Sequence, residues 1–203
     1  MRVGRVRELE ARPHHTCRAA PPRPLAPARP AMTNAARSSP LASTVQLLLR
    51  RELGALRRSV EAYPDDASAW ALPPGLPNAG GTLVLHCAGN LRHYLGAVLA
   101  GDGYRRDRDA EFARRGVPRA ELLAELDAAS AAVGRGLAGR ADAGLDAPFP
   151  EPIAGRTLVT RDVLLHLAVH LGYHLGQVDY HRRAVTGDAR PVGAIAVGEL
   201  PGA

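Results

Sequence analysis

The sequence predicts an all-α protein, a four-helix bundle with long connecting loops. Four stretches place apolar residues at helical spacing, and alternating β-branched segments are nearly absent. The connections between those stretches are long enough to cross a bundle. At 203 residues, 46% hydrophobic and 23% charged, the chain can bury a core without disulfides or a structural metal. A 150-residue domain already hides roughly 70% of its unfolded surface. Any metal is therefore expected to serve function rather than folding.

Ser39-Pro40 opens the first helix, with proline at a tolerated first-turn position. The helix runs over 41–63 on Leu41, Val45, Leu48, Leu49, Leu53, Leu56 and Val60, and Tyr63-Pro64 ends it. Residues 64–78, with four prolines around Trp70, read as a loop. A second helix is expected over 80–100, stopped by Gly101-Asp102-Gly103. The charged stretch 104–117 reads as a loop with one short helical turn. Pro118 starts a third helix through 137, with Leu122, Leu123, Leu126, Val133 and Leu137 as its apolar side. Residues 139–159 read as a connection with a short extended piece. Thr160 is expected to cap the last helix, 161–186, and Gly187 to end it.

The expected organisation is a disordered tail over 1–38, a folded unit over 39–190 and an irregular end over 191–203. The net charge of +6 suggests nucleic acid until it is located. All 26 basic residues are arginine, and seven of them lie in residues 1–31 against Glu8 and Glu10. Residues 32–203 are left near +1, which is no footprint for a phosphate backbone. The tail itself (AAPPRPLAPARPAM) is too rich in proline and alanine to pack a core, and Met32 is the expected true start. No apolar stretch follows its charges as in a secretory signal, and its prolines disfavour an amphipathic transit helix. No apolar run reaches the roughly 18–20 residues of a membrane span. Cys17 and Cys87 are too few for a disulfide framework or a thiolate zinc cage. The expectation is a cytoplasmic protein with no nucleic-acid or membrane partner.

Six of the eight histidines fall in two helices. In the last helix His166, His174 and His181 lie within about 40° of His170 at 100° per residue, on the stripe that carries Val163 and Leu167. Asp179 points the opposite way. In the second helix His86, Asn90 and His93 share a stripe with Leu83. An unpartnered buried polar group costs on the order of 1–3 kcal/mol, so imidazoles on two core faces call for a partner. A divalent metal is such a partner. Histidines at i and i+4 can hold one ion, and a third from a neighbouring helix completes three nitrogens. Spacing leaves His170/His174 and His166/His170 open as the pair. Neither Glu-x-x-His nor His-Glu-x-x-His occurs, nor any Gly-x-Ser-x-Gly, P-loop or Gly-x-Gly-x-x-Gly motif. A di-iron carboxylate bundle and a zincin are thereby disfavoured.

At HLAVHLGYHLGQVDYHRR (166–183) and LVLHCAGNLRHYLGAVL (83–99) the sequence resembles the DinB-like, or YfiT-like, damage-inducible family of metal-binding four-helix bundles. The resemblance spans roughly 40–187, and its most specific piece is His-x-x-x-His-x-Gly-Gln at His170, His174, Gly176 and Gln177. It implies a divalent ion, zinc or nickel, on His86, His170 and His174. It also implies a homodimer, for which apolar residues on more than one side of the first helix would suit an interface. The family includes thiol-dependent S-transferases and an isomerase. The expected function is therefore transfer of a low-molecular-weight thiol to an electrophile, with metal-dependent hydrolysis or a non-catalytic metal-binding or sensory role as alternatives. Asn90, Gln177, Tyr94 and Tyr173 are candidates to support the ligands or touch a small-molecule substrate. Metal affinity is expected to fall as pH drops through about 6–6.5, because protonated imidazole does not coordinate.

Overall fold

The computed structural model describes residues 39–200, and the proposed tail and start at Met32 lie outside them, as do residues 201–203. The described chain is helical, with two isolated β-bridges in the 148–159 connection and no strand among the described residues. Six α-helices occur among the described residues: α1 (Pro40–Glu61), α2 (Gly80–Leu91), α3 (Arg108–Ala113), α4 (Arg119–Leu137), α5 (Asp142–Asp146) and α6 (Thr160–Thr186). α1 packs on α4 and α6, and α2 packs on the same two from its own side and on α3. One core joins Leu49, Leu53 and Leu56 of α1 to Leu122 and Leu126 of α4 and Leu164, Leu167 and Leu171 of α6.

Helix ends follow local chemistry. The Ser39 hydroxyl accepts from the Ala42 amide at 3.4 Å, and Pro40 follows where no amide hydrogen is needed. α1 stops at Glu61, two residues before the expected end. The loop after it is not featureless, since Ala67–Trp70 forms a 3-10 turn. α2 continues without a break into a π-helical stretch, Arg92–Leu99, so the expected helix over 80–100 is present with altered pitch in its last third. α3 is the expected short turn among the charges, capped by the Asp107 side chain on Ala110 N at 2.8 Å.

Two sequence expectations need correction. α5 lies in the connection read as helix-free, because five residues with the single buried side chain Leu145 generate no periodicity. Thr160 is not the cap of α6: Val159 holds that position, and the Thr160 hydroxyl instead donates to the Ala147 carbonyl at 2.9 Å. At the other end Gly187 takes φ 67° and donates its amide to the Arg183 carbonyl at 2.9 Å, as a left-handed helix stop requires. Beyond it the chain is irregular apart from a turn at Val197–Glu199, and Arg58 of α1 holds it through the carbonyls of Val192 and Gly193.

Large exposed apolar side chains are absent from α1, where a dimer face was expected. On α6, Leu165, Val169, Tyr173 and Tyr180 are exposed along one side. No described helix is long and apolar enough to cross a membrane.

α4 approaches the π stretch closely. A β carbon at Gly136 would stand 2.4 Å from the Leu95 carbonyl oxygen, a backbone atom that cannot step aside. Gly136→Ala is therefore expected to destabilise the fold by about 1–3 kcal/mol. Gly172→Ala in α6, where a β carbon meets nothing within 4 Å, should stabilise it by about 0.5–1 kcal/mol. Urea unfolding measures both, and equal effects would remove the packing role given to Gly136.

Candidate metal centre

α2 is buried at every one of its residues, from Gly80 to Leu91, so its imidazole enters a dry seam. His86 finds partners on both ring nitrogens. Nδ1 lies 3.0 Å from Oε2 of Glu111 on α3, and Nε2 lies 3.2 Å from Nε2 of His170 on α6. Glu111 is itself buried and gripped by Arg106, with Nε at 2.7 Å from Oε1 and Nη2 at 2.9 Å from Oε2. Burial pushes the Glu111 carboxyl up, but the hydrogen bonds from His86 and Arg106 and the guanidinium charge outweigh it and hold the group below the usual carboxylate range.

His170 and His174 stand one turn apart on α6, half-buried, with their Nε2 atoms 3.2 Å apart. His174 Nδ1 turns outward to Gln177 Oε1 at 2.7 Å. The ligand nitrogens of His86, His170 and His174 all lie within 4.8 Å of one another, so this trio can hold a metal ion. The separations suit one. A tetrahedral ion with bonds of about 2.0–2.1 Å spaces its nitrogens by about 3.3–3.4 Å. The donor chemistry suits one too. With Nδ1 hydrogens of His86 and His174 given to Glu111 and Gln177, both Nε2 lone pairs face His170, whose Nε2 can donate to only one of them.

Burial, followed by the neighbouring imidazoles and Arg106, pushes His170 down to about 4 from an ordinary 6.5. Burial also lowers His174, against the opposing bond to Gln177. His170 and His174 are thus neutral and ready to coordinate at physiological pH.

The remaining histidines separate from this group. His166 is exposed, with its ring 6.0 Å from that of His170 and no place in the trio. His93 Nε2 pairs with Glu151 at 2.6 Å. His181 is buried and satisfied: Nε2 donates to the Ala71 carbonyl at 2.8 Å and Nδ1 accepts from the Tyr63 hydroxyl at 2.6 Å. The expectation that all these imidazoles share the core face with Val163 and Leu167 holds for buried His181 and fails for exposed His166. The buried side of α6 runs through Leu164, Leu171, Leu175 and Val178, and His170 and His174 flank it. Asp179 is itself buried and pairs with Arg182 at 2.9 Å and Arg183 at 2.8 Å.

Of the supporting candidates, Gln177 touches a trio member directly. Asn90 is buried one turn beyond His86, and its Oδ1 has no protein partner. Tyr173 is exposed with its ring 5.2 Å from that of His174. Tyr94 packs instead on His93 and Phe149. Cys87 is buried, and its thiol is pushed up to about 12, first by burial and then by Glu111, against Arg106. Sequence reasoning missed Glu111 and Arg106, which lie in the charged stretch read as a loop with one short helical turn. Between α2, α6 and the preceding loop a cavity of about 270 Å³ is lined by Leu76, Pro77, Leu83, Tyr180 and Ala184, with Gln177 and His181 among its polar members; no trio histidine lines it, and Gln177, which bonds His174, is the link between the two.

Zinc titration should find stoichiometric binding lost in His86→Ala, His170→Ala and His174→Ala and kept in His166→Ala and His181→Ala. Because His170 is depressed, its share of the affinity should be lost only on approach to pH 4, leaving a shallow decline through 6–6.5. The metal-free fold should lose stability over the same interval, since the unfolded chain takes up protons from about 6.5 downward while the folded His170 resists until about 4. Zinc released completely by pH 6, or an empty His166→Ala, would contradict this assignment.

In comparison with known proteins, a family model described as the DinB superfamily matches residues 48–178, about two thirds of the chain. No curated protein and no solved structure matches.

Proposed function

Since the chain belongs to the DinB superfamily, we propose that His86, His170 and His174 hold a divalent ion, zinc or nickel, in an enzyme that transfers a low-molecular-weight thiol to an electrophile. The observation that carries catalysis over a purely structural site is the donor count. Three histidines converge, the group includes no fourth His, Cys, Asp or Glu among the described residues, and Gln177, which bonds one of them, also lines an apolar cavity of about 270 Å³. Closed structural sites instead take four protein ligands.

When bound, the ion supplies Lewis acidity that keeps a thiol deprotonated at neutral pH. Everything else falls to the chain. Burial keeps His170 and His174 unprotonated, and Gln177 and Glu111 hold His174 and His86 by Nδ1. Leu76, Pro77, Leu83, Tyr180 and Ala184 receive the hydrocarbon body of the electrophile and exclude water from it. Cys87, buried with a raised thiol pKa, is no nucleophile, so the reacting sulfur must arrive on a substrate. A sulfur–carbon bond forms as the carbon–leaving-group bond breaks, and the thiol proton leaves to solvent. A cytoplasmic setting, where small thiols stay reduced, suits this chemistry. The exposed side of α6 supports a homodimer through that helix, and a monomer in sedimentation equilibrium would remove this part of the reading.

Elemental analysis followed by a screen of thiols against alkyl and aryl electrophiles tests the proposal. Ala184→Trp, which fills the cavity from an exposed position, is expected to raise KM for the electrophile at least tenfold while zinc content stays at the parent level. Turnover with water and no thiol would reassign the protein as a hydrolase. Bound metal without turnover of any electrophile would favour the non-catalytic role.

A further inference from the structure

Glu111 sits in a space that the sequence keeps clear. A β carbon on Gly89, one turn beyond His86, would lie 2.0 Å from Glu111 Oε1, so a larger residue there would expel the carboxylate. The carboxylate that enters reaches His86 Nδ1 at 3.0 Å. A second group reaches the same atom: Arg106 Nη2 lies 3.3 Å from it. A guanidinium can only donate and an ionised carboxylate can only accept. The two therefore demand opposite proton positions on one imidazole. If Glu111 prevails, Nδ1 carries the hydrogen and Nε2 turns a lone pair toward His170. If Arg106 prevails, Nδ1 accepts and the hydrogen moves to Nε2, pointing at His170 Nε2 3.2 Å away and blocking coordination.

We propose that Glu111 is a positioning residue that fixes the tautomer of His86 against Arg106, and that Gly89 is the void that admits it. Arg106 has a double part: it anchors Glu111 through Nε at 2.7 Å and becomes the competing donor once that carboxylate is gone. The stretch 104–117 thereby belongs to the metal centre although it contributes no ligand.

Two measurements on the full chain test this. The first uses metal-free protein and 15N-labelled histidine: the parent should show His86 protonated at Nδ1, and Glu111→Ala should show it protonated at Nε2. The second is zinc affinity by competition with a chromophoric chelator. Glu111→Ala should bind roughly 10–100-fold more weakly than the parent. Adding Arg106→Leu to Glu111→Ala should recover several-fold of that loss, because the misdirecting donor is removed. A carboxylate that only supported the fold would give a double variant no better than the single one. Either that result or an unchanged tautomer in Glu111→Ala would overturn the proposal. Should Glu111→Ala fail to fold, Gly89→Ala with and without Arg106→Leu carries the same comparison, and alanine is the better helix former, so a loss of zinc there cannot come from a weaker helix. The zinc arm rests on the three-histidine reading and the tautomer arm does not. Zinc binding by His86→Ala equal to the parent would sink the metal reading alone.

Discussion

The arrangement turns on one solvation problem. α2 has no water-facing side, yet it carries an imidazole at its midpoint. A buried polar group left without a partner costs about 1–3 kcal/mol, and a ring with two nitrogens needs two partners in opposite directions. Glu111 answers one and His170 the other, so the placement of α3 and the rotation of α6 are both constrained by His86. The carboxylate in turn needs Arg106, and the histidine pair needs Gln177. From His86 and His174 the partners lead outward to the less buried Arg106 and Gln177, whereas Asn90 Oδ1, in the same helix as His86, is left without a protein partner.

Most of the fold was legible because long amphipathic stretches state their own period. α1, α2, α4 and α6 appeared near their observed bounds, since Leu49, Leu53 and Leu56, or Leu164, Leu167 and Leu171, repeat often enough to be read. α5 was not legible, because one buried leucine in five residues cannot mark a face. At the site, the two possible histidine pairs of α6 were equal by spacing. What separates them is that His170 and His174 flank the buried side while His166 lies in solvent, and that depends on how α6 rotates against α2. The family resemblance supplied the pair that geometry later brought together with His86. Glu111 escaped both routes. A run such as YRRDRDAEFARR reads as a solvated face, and only the missing side chain at Gly89, on another helix, gives the acid somewhere to go.

The histidines of the α2–α6 seam therefore differ by partner rather than by exposure alone. His181 is buried more completely than His170, yet its two nitrogens are already taken by Tyr63 and Ala71, and it serves to fasten the end of α1 and the following loop to α6. His93 is matched to a carboxylate near the surface. A line of imidazoles on one stripe is thus several separate solutions to burial, and only the trio left with lone pairs facing one another points to a cation.

His86 and His170 are 84 residues apart in the chain, whereas His170 and His174 are neighbours within a single turn. An unfinished chain that has formed only α6 offers an ion two nitrogens and no more. The third arrives when α2 docks, a long-range event that loop-closure entropy delays. Metal therefore has little to hold in partly folded states and much to hold in the finished one. By mass action the binding energy of an ion held there would be added almost wholly to the native state, and would reward the one topology that joins the two halves of the chain.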